Sequence, residues 1–382
     1  MDQLSGSKAI PLTEFHERVY AWADENFDVR ADSKDMLFHD EADIETFGTE
    51  AMQNEVSPAV ALFGHPTADE LYNSERMTLD DNAKAQIAER FNLPNRYMWD
   101  DKYFDPHLRK LNFEHKFRVQ PQDNMLIRGR HLIEGDRDGD ICRAVLTKHY
   151  RPFDNDEFID AIMEAVTTKG VDPDTCKVGK WQVGSDMHGF LILPNIQFDR
   201  QNGRPPTADG GGSGGLHPGA KFSNSEVGRR RTRIDGGGWR GYCENGMIFG
   251  WQENTSFAMV HRGQRVMSLM VNEALADALQ LSEEGSLKFM EKMALKVERT
   301  DIGQIVNDWS TKYGFSVAST EAWTSLVTAD SYRGEISEFD VINSLTYVAR
   351  DLDNMEDAEK LQIAAGEMVF ANTVERGLRV PR

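Results

Sequence analysis

Two segments near the start of the chain have the spacing of amphipathic helices. Hydrophobic residues three or four positions apart share one helix face, and four of them do so in the first segment: Leu12, Phe15, Val19 and Trp22. The second segment, residues 80–91, starts with Asp80 or Asp81 as a cap and is ended by Pro94. Both segments are therefore predicted to be helical.

From about residue 113 the pattern changes to alternation, which is typical of strands. Over residues 124–133 successive side chains fall on opposite faces, and one face carries Leu126, Arg128, Arg130 and Leu132. The polar, glycine-containing segment 134–140 separates this strand from a second alternating segment, 141–148. The two alternating segments and the turn between them predict a β-hairpin. Further strands are predicted over 181–198, 220–234 and 239–251, with three glycines, Gly236–Gly238, between the last two.

Helical spacing interrupts the strands once and then dominates the last third of the chain. Phe158, Ile162 and Val166 form one stripe in a helix predicted over 154–166. After Asn254 the pattern is helical again, and Phe289, Met293 and Val297 are predicted to share one face. Later helices are predicted over 321–330, 336–350 and 355–370.

This order of elements predicts an α+β fold with a mixed or antiparallel strand core over about residues 113–252. An acidic helical and extended region over 1–80, with a connector at 32–50, precedes an α+β core over 81–300. A C-terminal helical region over 301–382 is predicted to pack on that core. The glycine-rich segment 201–219 is predicted to be a flexible loop, since consecutive glycines favour no single backbone conformation.

The composition indicates the cellular compartment of the protein more clearly than any reaction it carries out. Of 382 residues 40% are hydrophobic, enough to bury a core, and the three cysteines are too few for a disulfide framework. There is no apolar run of the ~20 residues that a membrane-spanning helix needs, and the first residues lack the basic and apolar pattern of a secretory signal. The sequence predicts a cytoplasmic protein of a reducing compartment that does not contact membranes.

Charge is unevenly distributed along the chain. The net charge is −20, from 43 basic and 63 acidic residues, and residues 1–110 alone carry 11 basic and 23 acidic side chains. Residues 221–240 instead hold six cations against Glu226 and Asp235, a local balance of +4. An acidic chain with one arginine-rich segment suits a local anionic partner rather than a polyanion that wraps the whole surface.

Cationic and aromatic side chains concentrate on the predicted strands. Guanidinium groups pair with phosphates and aromatic rings stack on bases, a combination that single-stranded nucleic acid requires. The candidate nucleic-acid-binding residues are Arg128, Arg130, Arg143, Lys148, Lys221, Arg229, Arg230, Arg231, Arg233, Trp239, Arg240 and Tyr242. The alternative is that the rings are core residues and the arginines pair with the abundant carboxylates.

Other motifs give weaker signals. Asp136, Asp138 and Asp140 resemble the start of a calcium loop, but the glycine and glutamate that such a loop needs are absent, so a hairpin turn is favoured. The glycine run 210–215 lacks the Gly-Lys-Ser/Thr of a phosphate loop. No histidine has a partner at metal-ligand spacing, so neither a metal nor a cofactor is predicted. Cys243 beside Arg240 is either a reactive thiol or a small residue before an Asn245-Gly246 turn.

Four segments in this order resemble the phage/plasmid-like family designated domain of unknown function 932. They are Leu93–Met98, Cys142–Asn155 with Thr147 where serine is usual, Asn224–Gly228, and Tyr242–Ile248 with Glu244 where threonine is common. The resemblance covers about residues 85–370. It implies a gene of a phage, prophage or plasmid, and a function in DNA replication, recombination or evasion of host defence.

The segment 224–228 also has a direct physical interpretation. Gly228 can adopt positive φ at a bend, Glu226 can orient an arginine, and Asn224 and Ser225 can donate to phosphate. The alternative is a bulged strand whose polar residues satisfy one another. The motif and structural positions singled out by the sequence are Asn224, Ser225, Glu226, Gly228, Cys243, Asn245 and Gly246.

Three functions are consistent with these patterns. The first is a homo-oligomeric, ATP-independent binder of single-stranded DNA that promotes annealing, by analogy of architecture with single-strand annealing recombinases. The second is an acidic protein-interaction or assembly factor, of the virion or of host takeover, to which the charge of −20 is suited. The third is a nuclease using Asp136, Asp138, Asp140 and Asp235. The first is the working hypothesis and requires no catalytic residue.

Overall fold

The protein has an α+β fold, as the sequence predicts. The computed structural model describes residues 3–6, 8–38, 43–47, 74–100, 105–131, 140–193, 216–240, 245–248, 257–259, 267–298, 301–333, 335–352 and 354–371.

The helices are α1 Leu12–Ala23, α2 Asp81–Arg90, α3 Asn95–Met98, α4 Pro106–Val119, α5 Asn155–Thr168, α6 Met267–Glu291, α7 Ile302–Tyr313, α8 Val317–Arg333, α9 Glu338–Arg350 and α10 Met355–Phe370. The strands are β1 Gln3–Gly6, β2 Ile10–Pro11, β3 Asn26–Ala31, β4 Met36–Phe38, β5 Asp43–Phe47, β6 Ser74–Leu79, β7 Met125–Arg130, β8 Asp140–Leu146, β9 Lys177–Gly184, β10 Asp186–Ile192, β11 Leu216–Ser225, β12 Thr232–Arg240, β13 Asn245–Ile248, β14 Phe257–Met259, β15 Lys296–Val297 and β16 Ile336–Ser337.

The strands form two main sheets and one short pair. The larger sheet has the order β1-β9-β10-β11-β12-β13, with β2 beside β9 and β14 beside β12, and its pairs are antiparallel. The second sheet has the order β3-β7-β8-β6-β5-β4, in which β6 and β8 are parallel. The strands β7 and β8 pair antiparallel, which confirms the predicted hairpin. Strands β15 and β16 form the short pair.

Each sheet has one face covered by helices, and the C-terminal helices form a core of their own. Helices α1 and α5 and the first half of α6 pack on the larger sheet through the predicted stripes of Phe15 and Phe158. Helices α2 and α4 pack on the second sheet through Ile87 and Phe113. Helices α7–α10 and the second half of α6 bury residues such as Trp309. The fold therefore combines two sheet cores with one helical core.

Local sequence signals explain several helix boundaries. The carboxylate of Asp80 accepts the Ala83 N–H at 2.7 Å, so Asp80 is the predicted cap of α2. At α9 the Ser337 hydroxyl and the Asp340 carboxylate form a reciprocal capping box. Helix α10 has the predicted bounds, whereas α7 is absent from the sequence prediction.

Residues 1–80 do not form a separate N-terminal region where the structure describes them. Strands β1 and β2 extend the larger sheet along β9, and β3 pairs with β7 over six residue pairs. The predicted connector at 32–50 contains β4 and β5, which join the second sheet. The N-terminal segment is thus part of both sheets, because β1, β2 and β3 pair with strands more than 90 residues away in sequence.

Four further predictions are corrected by the structure. The region predicted to turn strand-like at 113 is helix α4 as far as Val119, and its buried Phe113 and Phe117 lie four residues apart. Val297 belongs to β15 rather than to a helix shared with Phe289. Gly236–Gly238 do not separate two strands but lie inside β12. Of the predicted loop 201–219, residues 216–219 begin β11 and the remainder is outside the described residues.

The glycines of β12 allow a helix to approach the sheet closely. A Cβ atom at Gly236 would lie 2.4 Å from the carbonyl oxygen of Ala278 in α6. We expect Gly236→Ala to lower the free energy of unfolding by about 1–3 kcal/mol, since backbone on both sides must shift. Urea unfolding would measure it. Gly303→Ala in α7 is the control, because no atom lies within 4 Å there and alanine favours helix by up to about 1 kcal/mol. Equal midpoints for the two variants would contradict the prediction.

Candidate functional site

The two main sheets meet at a buried polar junction built around Glu226. This residue follows β11, and its carboxylate accepts from Arg143 of β8 at 2.7 Å and from the Asn155 N–H at 3.1 Å. The side chains of Arg143 and Glu226 are 3% and 1% exposed. Burial raises the pKa of Glu226, and the charge of Arg143 opposes that shift. The ion pair therefore holds the sheets together within the protein interior.

Arg128 on β7 forms a second set of contacts at the same junction. Its guanidinium binds the Asp154 carboxylate at 2.6 and 2.7 Å, Asp28 at 2.8 Å and the Glu226 carbonyl at 2.8 Å. Burial acts to lower the pKa of Arg128, but the hydrogen bonds and charge of Asp154 and the charge of Asp28 raise it overall. Arg128 is thus fully engaged inside the protein.

The segment 224–228 is the centre of this junction. The Asn224 amide donates to the Phe153 carbonyl at 2.9 Å and accepts from the Thr232 hydroxyl at 2.6 Å. The Ser225 hydroxyl accepts the Arg229 N–H at 3.1 Å. Gly228 has φ of +73°, as the bend requires. The bend at Gly228 and the pairing of Glu226 with an arginine are thus as predicted, whereas Asn224 and Ser225 bond to groups of the protein itself, as in the alternative interpretation.

Three predicted nucleic-acid contacts are corrected by their position. Arg128 and Arg143 are buried in the junction and are 2% and 3% exposed, so neither can reach a phosphate. Arg130 is 11% exposed; it pairs with Glu25, donates to the Trp22 carbonyl and lies 3.4 Å from the Trp22 ring centroid. Carboxylates of the N-terminal segment, Asp28 and Glu25, thus pair with Arg128 and Arg130. This agrees with the alternative interpretation of the sequence, in which the arginines pair with the abundant carboxylates.

Beside the junction lies an open groove of about 770 Å³ whose rim carries the arginine triplet. Arg229, Arg230 and Arg231 follow the bend at Gly228 and are exposed. Arg229 is 3.5 Å from the Asp186 carboxylate, and in the described part of the chain Arg230 and Arg231 form no ion pair. The lining consists of Gln86, Glu89, Arg90, Gln122, Leu146, Thr147, Tyr150, Gly228 and the triplet.

The walls of the groove are fixed by hydrogen bonds to backbone. The Gln86 amide donates to the Val227 carbonyl at 2.7 Å and accepts the Val145 N–H at 2.8 Å. Arg90 donates to the Val145 carbonyl at 2.9 Å. The Tyr150 hydroxyl donates to the carbonyls of Ser225 and Glu226, and burial raises its pKa. Four arginines and one carboxylate, Glu89, line the groove, so its lining carries a net positive charge.

Lys221 and Arg233 lie away from the groove, on the opposite face of the larger sheet from α6. The Lys221 ammonium is 3.2 Å from the Glu359 carboxylate of α10, and burial lowers the pKa of Lys221. Arg233 is 2.8 Å from Asp235 and 3.6 Å from Glu359. These two predicted site residues are therefore covered by the C-terminal helices.

The other predicted site residues are only partly described. Lys148 is exposed and follows Thr147 of the groove. Trp239 and Arg240 end β12 and pair with Gly246 and Asn245 of β13, so the last two begin a strand rather than form a turn. The side chains of these four residues, and all of Tyr242 and Cys243, lie outside the described residues.

The described part of the chain includes some of the carboxylates and thiols singled out by the sequence. Within it, no group of three or more His, Cys, Asp or Glu residues is placed to hold a metal ion. Asp140 pairs with His131 at 2.9 Å and Asp235 with Arg233, while Asp136 and Asp138 lie outside. Burial raises the pKa of the fully buried Cys142 thiol, and it raises the pKa of the Cys176 thiol to about 11.

None of the described helices is long and apolar enough to cross a membrane.

The sequence prediction missed several groove residues. Gln86 and Arg90 lie on one side of α2 and Gln122 follows α4, and no motif links them to the arginine triplet. Glu359 was missed because nothing in the sequence relates α10 to β11.

The chain matches no protein-family model, no curated protein and no solved structure.

Proposed function

We propose that this chain binds single-stranded DNA through the arginine groove and promotes strand annealing without ATP. The observation that carries the proposal is the exposed triplet Arg229–Arg231 on the rim of an open groove. In a chain with 63 acidic residues, arginines usually find carboxylate partners. Arg230 and Arg231 instead form no ion pair within the described residues, and are thus available to an external anion.

The chemistry required is modest. Guanidinium groups would hold phosphates bidentately, and neutralising the backbone would let two strands approach. Tyr150 cannot serve as a stacking platform because it is buried and its hydroxyl is bonded, so the proposal keeps Trp239 and Tyr242, the two rings predicted from the sequence, for base stacking. Annealing also benefits from several copies along one strand, and we include a homo-oligomer in the proposal. The family resemblance favours a phage or plasmid protein acting in the host cytoplasm.

We expect a labelled single-stranded oligonucleotide to bind with strong salt dependence, measured by fluorescence anisotropy. Three phosphate contacts to a single strand give a log–log slope of roughly −2, so that affinity falls roughly 20-fold between about 50 and 200 mM salt. The duplex of the same sequence is the control, and should bind more weakly because its bases cannot stack on protein rings. Absence of binding at low salt would overturn the proposal and favour an acidic protein-interaction factor.

A further inference from the structure

The face of the larger sheet opposite to the one covered by α6 carries several cationic side chains beside the buried Phe190 and Ile192. Along β11 the side chains alternate, so that Ala220 and Phe222 enter the hydrophobic core while Lys221 and Ser223 point to the other face. The strand register places His188 of β10 and Arg233 of β12 on either side of Ser223. We call this set the outer cationic face: Lys180, His188, Lys221, Ser223 and Arg233.

The outer cationic face begins close to the groove although Lys221 and Arg233 do not line it, since Arg233 on β12 follows Arg231 of the groove lining by two residues. His188 is 9% exposed, and its ring forms no hydrogen bond within the described residues. Burial, together with the positive charges of Lys221, Arg230 and Lys180, lowers the pKa of His188 to about 3. Arg230 also lines the groove.

The C-terminal helices place one carboxylate and two backbone carbonyls against the cations of this face. The Glu359 carboxylate bridges Lys221 at 3.2 Å and Arg233 at 3.6 Å. The Lys180 ammonium donates to the Ala349 and Arg350 carbonyls at the C-terminus of α9, at 3.0 and 3.2 Å, where the helix dipole favours a cation. Asp235 adds a second carboxylate beside Arg233.

The covering helices are stabilised mainly by contacts with one another. The hydrophobic residues of α10, such as Leu361, Ala365 and Met368, belong to the core that α10 shares with α7, α8 and α9. Glu359 instead faces the sheet and is 24% exposed. The helical core therefore does not depend on the carboxylate that contacts Lys221 and Arg233.

We propose that the outer cationic face is a second phosphate-binding site for single-stranded DNA, continuous with the groove, and that Glu359 occupies it in place of a phosphate. A carboxylate and a phosphate are both bidentate acceptors for these cations, so the two compete for the same positions. This inference rests on the proposed function, because the ligand is the strand that the groove holds. It assigns α10 the role of limiting how much of that strand is bound.

The test compares two isosteric substitutions on α10. Glu359→Gln removes the bridging carboxylate, and we expect it to raise the affinity for the labelled single strand about tenfold, with a salt slope steeper by roughly 1 for one or two added phosphates. Asp357→Asn is the matched control, because it changes the net charge equally but removes a carboxylate that pairs with Lys360 of its own helix at 3.3 Å. We expect Asp357→Asn to bind as the wild type does.

Two results separate failure of this inference from failure of the proposed function. If Glu359→Gln binds no more tightly than Asp357→Asn, the inference is overturned, whereas binding by the wild type decides the proposed function by itself. Adding Lys221→Gln to Glu359→Gln should abolish the gain, and a gain that persists would contradict a phosphate site at Lys221. Unfolding midpoints of all variants identify any that are merely destabilised.

Discussion

Reversing the charge of Arg229, Arg230 and Arg231 together is expected to lower the affinity for single-stranded DNA at least about 100-fold. Hydrogen bonds to charged groups are worth about 1.5–3 kcal/mol each, and tenfold in affinity corresponds to about 1.4 kcal/mol. Loss of three such contacts is therefore enough to lower the affinity by this amount. If glutamates replace the arginines, their repulsion of the phosphates lowers the affinity further. Anisotropy titrations at low salt measure the loss, and the salt slope should approach zero.

The control for this experiment must change the net charge by the same amount. Lys169, Lys177 and Lys288 are exposed and lie outside the groove lining, so their replacement by glutamate alters the total charge equally. We expect that variant to bind within a few-fold of the wild type, since charges beyond a Debye length of about 10 Å are screened. Equal loss in both variants would show that binding follows overall charge and would contradict a localised site.

The local pattern of hydrophobic residues was sufficient to predict those helices and strands whose side chains face a single hydrophobic core. The stripe of α1, the stripe of α5 and the hairpin of β7 and β8 follow directly from hydrophobic spacing, since each buries one face against a neighbour. The pattern failed where tertiary contacts override it. Gly236–Gly238 are typical of a turn by themselves, but they lie in a strand because α6 needs the space that a side chain would fill.

The candidate site illustrates the same limit for charged residues. Arg128 and Arg230 are both predicted from the sequence to contact nucleic acid, yet Arg128 is buried and Arg230 is exposed. The difference lies in partners that are distant along the chain, since Arg128 contacts Asp28, 100 residues away, and Arg143 contacts Glu226, 83 residues away. Composition could indicate that the arginines have carboxylates available, but only the fold determines which arginines pair.

The family resemblance remains a prediction, and the structure gives its motifs a physical meaning. Two of the four segments, Cys142–Asn155 and Asn224–Gly228, meet at the junction between the sheets. Arg143, Asp154 and Asn155 of the first segment contact Glu226 of the second or its partner Arg128. Residues of these motifs therefore join the two sheets, while the adjacent arginine triplet is exposed.

Removing one partner of the junction should have the largest effect on stability. We expect Arg143→Met or Glu226→Gln to lower the free energy of unfolding by about 3–5 kcal/mol, the cost of leaving a buried charge without its partner. In Arg143→Met the Glu226 carboxylate, 1% exposed, loses its countercharge. In Glu226→Gln the guanidinium of Arg143, 3% exposed, keeps only neutral acceptors such as the Gly129 carbonyl at 3.3 Å. Urea unfolding at neutral pH measures both.

An exposed ion pair supplies the comparison that tests the role of burial. Lys296 and Glu335 are in contact, but their side chains are 67% and 78% exposed, so Glu335→Gln should leave the unfolding midpoint unchanged. If Glu226→Gln had an equally small effect, the junction would not hold the sheets together. Because Glu226 also accepts the Asn155 N–H at the start of α5, replacing both Arg143 and Glu226 by apolar residues should restore only part of the loss. That incomplete recovery is what distinguishes a junction of several elements from an isolated ion pair.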